Sequence, residues 1–230
     1  MLTGTNRPAR SRAARVPPSG DRETRARLLD AAARLFAERG FTRVTVRDIC
    51  RRARANVAAV NYHFGGKVGL YTAVMESAIS TMRGTTEAAQ AAGEGLPADE
   101  RLRAYVRIFV QRVMSLGRDT SIHQLMMREI ADPTPALDMV AEQVIKPRMA
   151  YLCSTIGELT GLAPDDPRVV RCAISVLSQF HALVWAQVLP GPSASPTAAA
   201  EALEALADHI ARFSIAGAKG IRTSELGLDD

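Results

Sequence analysis

With 230 residues, 47% hydrophobic but only 5% aromatic, the chain can bury one large or two modest cores and leans on alanine and arginine, both strong helix formers. Three cysteines (Cys50, Cys153, Cys172) without metal-ligand spacing, and a basic start, MLTGTNRPARSRAARVPPSG, with no apolar segment behind it, argue against a disulfide framework and a secretory leader and for a reducing cytoplasm. Residues 1–67 hold 15 Lys/Arg against 5 Asp/Glu while residues 68–230 hold 14 against 19, so the first third is the part suited to a polyanion, a merely solvated arginine-rich surface being the plainer alternative.

Residues 1–20 lack periodicity and read as a disordered basic tail. From Asp21 to Arg39, Leu28, Ala32, Leu35 and Phe36 recur on one helical face, and Gly40 stands where a helix would stop. A second helix is announced by TVRD, with Thr45 as N-cap and Asp48 closing a variant capping box; its inner face is Val46, Ile49, Cys50 and Ala53. A third follows a short turn, capped by Asn56, with Val57, Val60 and Phe64 inward and Gly65-Gly66 as its stop. Two short helices across a tight turn make a helix-turn-helix, whose outer face is free to enter a DNA major groove.

Beyond Lys67 the helices lengthen. One spans about 67–90 on Tyr71, Met75, Ala78 and Met82, and another about 98–117 on Leu102, Val106, Phe109, Val110 and Val113. A third, near 120–131, carries Ile122, Leu125, Met126 and Ile130. Thr134-Pro135, Asp166-Pro167 and Ser195-Pro196 each pair a capping residue with proline at the first helical position, and Pro147 predicts a kink inside the helix that starts at 134. The run CAISVLSQFHALVWAQVL, residues 172–189, has no charge, yet its Gln, Ser and His residues argue against a membrane span. A helix apolar nearly all round is covered on both sides. Helices near 167–189 and 197–216, the latter with Leu203, Leu206, Ile210 and Phe213 on one face, are therefore expected to meet their copies in a four-helix homodimer seam. The expectation is an all-α chain of about nine helices: a tail (1–20), a three-helix DNA-binding domain (21–67), an effector-binding and dimerisation domain (68–218) and a C-terminal tail (219–230).

The stretch TRARLLDAAARLFAERGFTRVTVRDICRRARANVAAVNYHFGGKVGLY, residues 24–71, resembles the DNA-binding domain of TetR-family transcriptional regulators: a helix ending LFAERGF, then TVRDI, then a short recognition helix ending YHF, a small turn and a lysine. More weakly, MMREIADPTPALDMVAEQVIKP resembles the subgroup with a CecR-like C-terminal domain. One departure stands in the inter-helix turn, where the family usually has glycine and this chain has Arg54. A non-glycine residue at positive φ costs roughly 1 kcal/mol, so either the turn is strained or its geometry differs.

On this reading Tyr62, His63 and Lys67 contact phosphate oxygens, as do Thr45 and the backbone N–H groups at its helix start. Base reading falls to the outer side of residues 56–62: Asn61, whose amide can pair bidentately with adenine, Asn56 beside it, and Val57, Ala58 and Ala59, whose methyl groups suit thymine. Arg47 and Arg54 can reach bases or phosphates. Arg7, Arg10, Arg12 and Arg15 form either an arm along the DNA or plain disorder. The resemblance further implies a small-molecule effector between the middle helices. Phe109, Met114, Met126, Met127, Tyr151 and Trp185 would form an apolar pocket with His123, Gln179 or His181 as polar anchors, core packing being the alternative for each. His63, His123, His181 and His209 have no HExxH spacing, and no P-loop, GxSxG or GxGxxG is present, so neither an enzyme nor a metal or cofactor site is expected. The function this points to is a repressor released from a pseudo-palindromic operator by an apolar or amphiphilic effector. An activator, or an architectural DNA-binding protein whose C-terminal domain only dimerises, stays open.

Overall fold

A computed structural model describes residues 19–115, 121–186 and 196–221. Helices follow in the order α1 (Ser19–Arg43), α2 (Val46–Ala53), α3 (Val57–Phe64), α4 (Lys67–Ala92), α5 (Ala98–Ser115), α6 (Ser121–Ala131), α7 (Ala136–Val140), a π-helical turn (Ala141–Ile145), α8 (Lys146–Thr160), α9 (Pro167–Ala186) and α10 (Pro196–Gly220). The protein is all-α as expected, with no strand among the described residues. The expectations for the tail up to residue 18, the Ser195 cap and residues 222–230 fall outside them, as do the side chains of Val113, Met114, His181 and Trp185.

The apolar stripe of α1 (Leu28, Ala32, Leu35, Phe36) is buried throughout. Gly40, at φ 78° and ψ 165°, breaks the regular helix, and one further turn carries the chain to Val44, which drops into the core. Thr45 and Asp48 close the capping box of α2: the Thr45 hydroxyl accepts from the Asp48 N–H at 3.2 Å, and the Asp48 carboxylate accepts from the Thr45 N–H at 3.2 Å. Asn56 caps α3 by accepting from the Ala59 N–H at 2.8 Å, and Gly65, at φ 70°, ends it.

Two apolar cores result. The first gathers Leu28, Phe36, Ile49, Val60 and Leu70 with Leu125 and Met126 of α6 and Val140 of α7. The second gathers Leu102, Tyr105, Val106, Leu152, Ile156, Val169, Phe180 and Ile210 from α5, α8, α9 and α10. Helix α4 runs through both, entering the first with Leu70 and Met75 and the second with Ala89. Each fully buried large side chain contributes roughly 1.5–3 kcal/mol, so both cores are substantial.

Four expectations change in detail. Val57 was expected to face inward and is 43% exposed, because the seat beneath α3 is filled by Val60. Ile130 was assigned to the inner face of α6 and is exposed; Glu129 is buried in its place. Phe213 lies 64% exposed while Ala207, Ala211, Ser214 and Ile215 face the core, so the buried stripe of α10 is rotated from the one expected. The kink tied to Pro147 takes the form of a π turn one residue upstream of α8, where a proline lacking an N–H and crowding the carbonyl four residues back widens the helix rather than breaking it.

Arg54 adopts φ 51°, ψ 48° as the C-cap of α2, and among the described residues no other non-glycine has positive φ. The turn thus keeps left-handed geometry without the glycine that would adopt it freely. Arg54→Gly is expected to raise the melting temperature by about 2–4 °C, while Arg54→Ala, which keeps the strain, leaves it within about 1 °C in calorimetry.

Candidate nucleic-acid interface

The outer side of α2, the turn and α3 forms one continuous exposed surface: Thr45, Arg47, Arg54, Asn56, Val57, Ala58, Asn61 and Tyr62. Tyr62 is 77% exposed, with its ring edge-on to His63 at 5.0 Å. The side chains of Arg47, Arg54 and Asn61 have no hydrogen-bond or ion-pair partner among the described residues. Neighbouring Arg51 and Arg52, by contrast, are paired with Asp48 and Glu38. Asn56 spends its side-chain oxygen on the α3 cap, and the Thr45 hydroxyl donates to Asp48 at 2.6 Å. That bond holds the Asp48 carboxyl below the usual carboxylate range, with help from the Thr45 N–H and Arg51.

Two side chains sit differently from the expectation. The His63 ring is turned inward, its side chain 8% exposed, with Nε2 3.3 Å from Asp21 Oδ1 at the start of α1. Its partner is a carboxylate of the same chain, because α3 rests against α1 and the imidazole lies on the packed side of the helix. Lys67 lies 4.4 Å over the Phe41 ring and donates to the Thr42 carbonyl at 3.4 Å, so it pins the end of α1 to the start of α4 while two ammonium protons stay free. Behind them the α3–α4 junction is very tight: a Cβ on Gly69 would collide with the Phe64 carbonyl, so only glycine fits. A glycine just past the GG stop was the sequence signal for that close approach, and sequence reasoning passed over it.

Helix α6 holds this surface to the rest of the molecule. Arg128 Nε donates to the Ala37 carbonyl at 2.6 Å and its guanidinium also reaches the Glu38 carbonyl, capping the regular part of α1 with a cation. Next to it the buried Glu129 accepts from the Tyr71 hydroxyl of α4, and from the Thr134 N–H and hydroxyl, both at 2.7 Å. Burial, reinforced by Glu129, pushes the Tyr71 phenol up, so it remains the donor.

The expected effector residues whose side chains are described do not converge on one place. Phe109 and Tyr151 belong to an aromatic stack with Tyr105 and Phe180 in the second core. Met126 packs in the first core, and His123 and Met127 lie half-buried on the same helix α6. Gln179 bridges α9 to α10 by donating to Ser214 at 3.1 Å. Beside the stack lies Arg148, which sequence reasoning did not select. Its signal was a charge in phase with the buried Leu152 and Ile156, at i, i+4 and i+8. Burial pushes the thiols of Cys153 and Cys172 up, which favours their unreactive protonated form. Among the described residues no cluster of His, Cys, Asp and Glu could hold a metal ion, and no helix is long and apolar enough to cross a membrane.

A capped, exposed recognition helix on a three-helix head, joined to a helical domain, defines a helix-turn-helix DNA-binding regulator of transcription rather than an enzyme. Residues 28–74 match the family of bacterial regulatory proteins, tetR family, and residues 98–218 match the C-terminal domain of the HTH-type transcriptional dual regulator CecR. The chain belongs to the TetR family, with a C-terminal domain of the CecR kind. It is 30% identical over 168 residues to the HTH-type transcriptional dual regulator CecR of Shigella flexneri, covering 70% of this chain and 75% of that one. Over 72 residues it is 44% identical to the HTH-type transcriptional repressor Rv3405c of Mycobacterium tuberculosis, covering 31% of this chain and 37% of that one. The fold is similar to that of SCO4454, a TetR-family regulator from Streptomyces coelicolor, with a TM-score of 0.61 and 22% identity over 86% of this chain and 97% of that one. It is also similar to AibR, solved with isovaleryl coenzyme A and operator DNA, with a TM-score of 0.59 and 19% identity over 84% and 96% of the two chains.

Removing the buried acceptor should loosen the seam between α4 and α6. Glu129→Ala is expected to cost about 2–3 kcal/mol because three donors lose their partner, against about 1 kcal/mol for Tyr71→Phe, both read from the urea midpoint.

Proposed function

We propose that the protein is a cytoplasmic, homodimeric repressor that occupies a pseudo-palindromic operator and leaves it when a small effector binds the C-terminal domain. The observation that carries this reading is the outer face of α3. An amide without a partner among the described residues, Asn61, lies on an exposed helix beside Tyr62 and the guanidinium groups of Arg47 and Arg54, likewise unpaired among those residues, within a segment carrying ten net positive charges. Support for a dimer comes from α9 and α10, which leave Ile174 51% and Phe213 64% exposed on the two helices expected to meet their copies. AibR gives a precedent of similar fold with an acyl coenzyme A and operator DNA bound together. A second reading, activation at some promoters, is favoured by the description of the 30% identical relative as a dual regulator.

The test is selection of bound fragments from a random duplex library, followed by titration of the winner with the purified chain. An inverted repeat holding two copies, bound at least a thousandfold tighter than random DNA, supports the regulator reading. Salt-sensitive binding without a preferred sequence supports the architectural alternative instead. A promoter fusion carrying the selected repeat then separates repression from activation.

Asn61→Ala is expected to lose about 1–3 kcal/mol of discrimination at one base position of each half-site while other positions keep theirs, as read by repeating the selection. Arg47→Ala and Lys67→Met should both weaken binding to all sequences and flatten the plot of log affinity against log salt by about one unit per copy. They differ in a second readout. Lys67→Met also lowers the melting temperature, because it releases the Phe41 and Thr42 contacts, whereas Arg47→Ala does not.

A further inference from the structure

Among the described residues three buried polar side-chain atoms lack any hydrogen-bond partner: Arg101 Nε, Tyr105 Oη and Tyr151 Oη. They lie together. The Tyr105 and Tyr151 rings stack at 5.7 Å, and the point where a Gly93 Cβ would sit is 2.9 Å from Tyr151 Oη and 3.2 Å from Arg101 Cγ. A fourth group adjoins them from α8. The Arg148 guanidinium lies 4.6 Å over the Phe109 ring, which itself stacks on Tyr105 at 4.5 Å. Its polar contacts are two long ones, to the Thr86 hydroxyl at 3.4 Å and the Met82 carbonyl at 3.5 Å, and it makes no ion pair among the described residues.

Among the described residues, a mostly buried cation without a counter-ion and three donors without an acceptor each carry a desolvation penalty. Guanidinium groups only donate, and phenol hydroxyls donate well to an anion, so the cluster suits an acceptor with negative charge. Room exists for it. A cleft of about 350 Å³ opens between the end of α4 and the starts of α5 and α8, with Gly93, Arg101 and Tyr151 in its wall. The Gly93 backbone approaches the Tyr151 hydroxyl and the Arg101 stem so closely that a Cβ would crowd both, so this wall of the cleft requires glycine. Two carboxylates limit the charge: Glu94 lines the same cleft, and Glu158 already pairs with the outer end of Arg101. They disfavour a ligand with more than one negative charge.

We propose that this cluster is the effector site, and that the effector is a small organic monocarboxylate. Its carboxylate binds Tyr151 Oη and Arg101 Nε, with Tyr105 and the Arg148 charge behind them. This deepens the effector reading above and rests on it only for the effect on DNA.

The experiment uses the full chain and a set of matched probes: acetate, hexanoate, benzoate, phenylacetate and indole-3-acetate, each against its neutral amide, and phenyl phosphate as the dianion. Binding is read by calorimetry and by the rise in melting temperature. At least one carboxylate should bind ten times or more tighter than its amide, and phenyl phosphate should bind more weakly than benzoate. Tyr151→Phe and Arg148→Met should each weaken that carboxylate about tenfold. Tyr105→Phe and Tyr151→Phe remove unpartnered hydroxyls, so without ligand their melting temperatures should not fall, which separates lost binding from lost folding. Amides binding as well as the acids, no probe binding, or unchanged affinity in Arg148→Met would each overturn the proposal. A carboxylate that binds in this pattern yet leaves operator affinity unchanged would keep the site and sink the effector reading. Release from the operator by neutral compounds that bind Arg148→Met equally would do the reverse.

Discussion

The exposed surface of α2 and α3 is positioned by one seam, the contact of α6 with the end of α1 and the start of α4. Arg128 stoppers α1 at the carbonyls of Ala37 and Glu38, and the adjacent Glu129 ties Tyr71 of α4 to Thr134 ahead of α7. A cation at a helix C-terminus and a buried carboxylate with three donors are both geometry-sensitive, because each loses its worth when partners move by an ångström. The orientation of the recognition helix therefore depends on a helix that belongs to the other half of the chain. Helix α4 carries the dependence further, since it starts at Lys67 beside α3 and places Ala89, near its end, in the second core.

Within the head itself, local chemistry does most of the positioning. Thr45 with Asp48, and Asn56 with the Ala59 N–H, set the starts of two eight-residue helices that are too short to be stable alone. Arg54 accepts left-handed backbone strain to keep the turn closed, and its charge is thereby carried out to the exposed face. The strain is a cost of the order of 1 kcal/mol set against a cation placed beside the recognition helix. Division of labour is visible in the arginines as well: Arg51 and Arg52 are held by acids of the head, whereas Arg47 and Arg54 have no partner among the described residues.

The second core has the opposite character. It is well packed around Tyr105, Leu152 and Ile156 and yet contains the described residues' unsatisfied donors, grouped with the half-buried Arg148 cation. A core retained for stability alone would be expected to replace such groups with apolar ones of similar size. Their presence in one cluster, beside a cleft with Gly93, Arg101 and Tyr151 in its wall, is the feature of this domain that packing does not explain.

Helix existence, order and type were legible in the amino-acid sequence, because caps, glycine stops and 3.6-residue periodicity are local signals. So was the identity of the head, from the spacing of LFAERGF, TVRDI and YHF, and the exposure of the set around Asn61 followed from which positions had to face inward. What only the tertiary structure decided was where polar groups go once helices pack. Nothing local distinguishes Glu129 from Ile130 as the buried member of α6; the three donors that make burial tolerable come from α4 and from the segment after α6. Nor could periodicity turn His63 inward, since its partner, Asp21, lies 42 residues earlier at the start of α1. The same holds for Arg148, whose lack of a counter-ion is a property of α4, α5 and α8 together. Periodicity reports the average polarity of a face, whereas the fate of a single buried charge depends on partners that are distant in the chain.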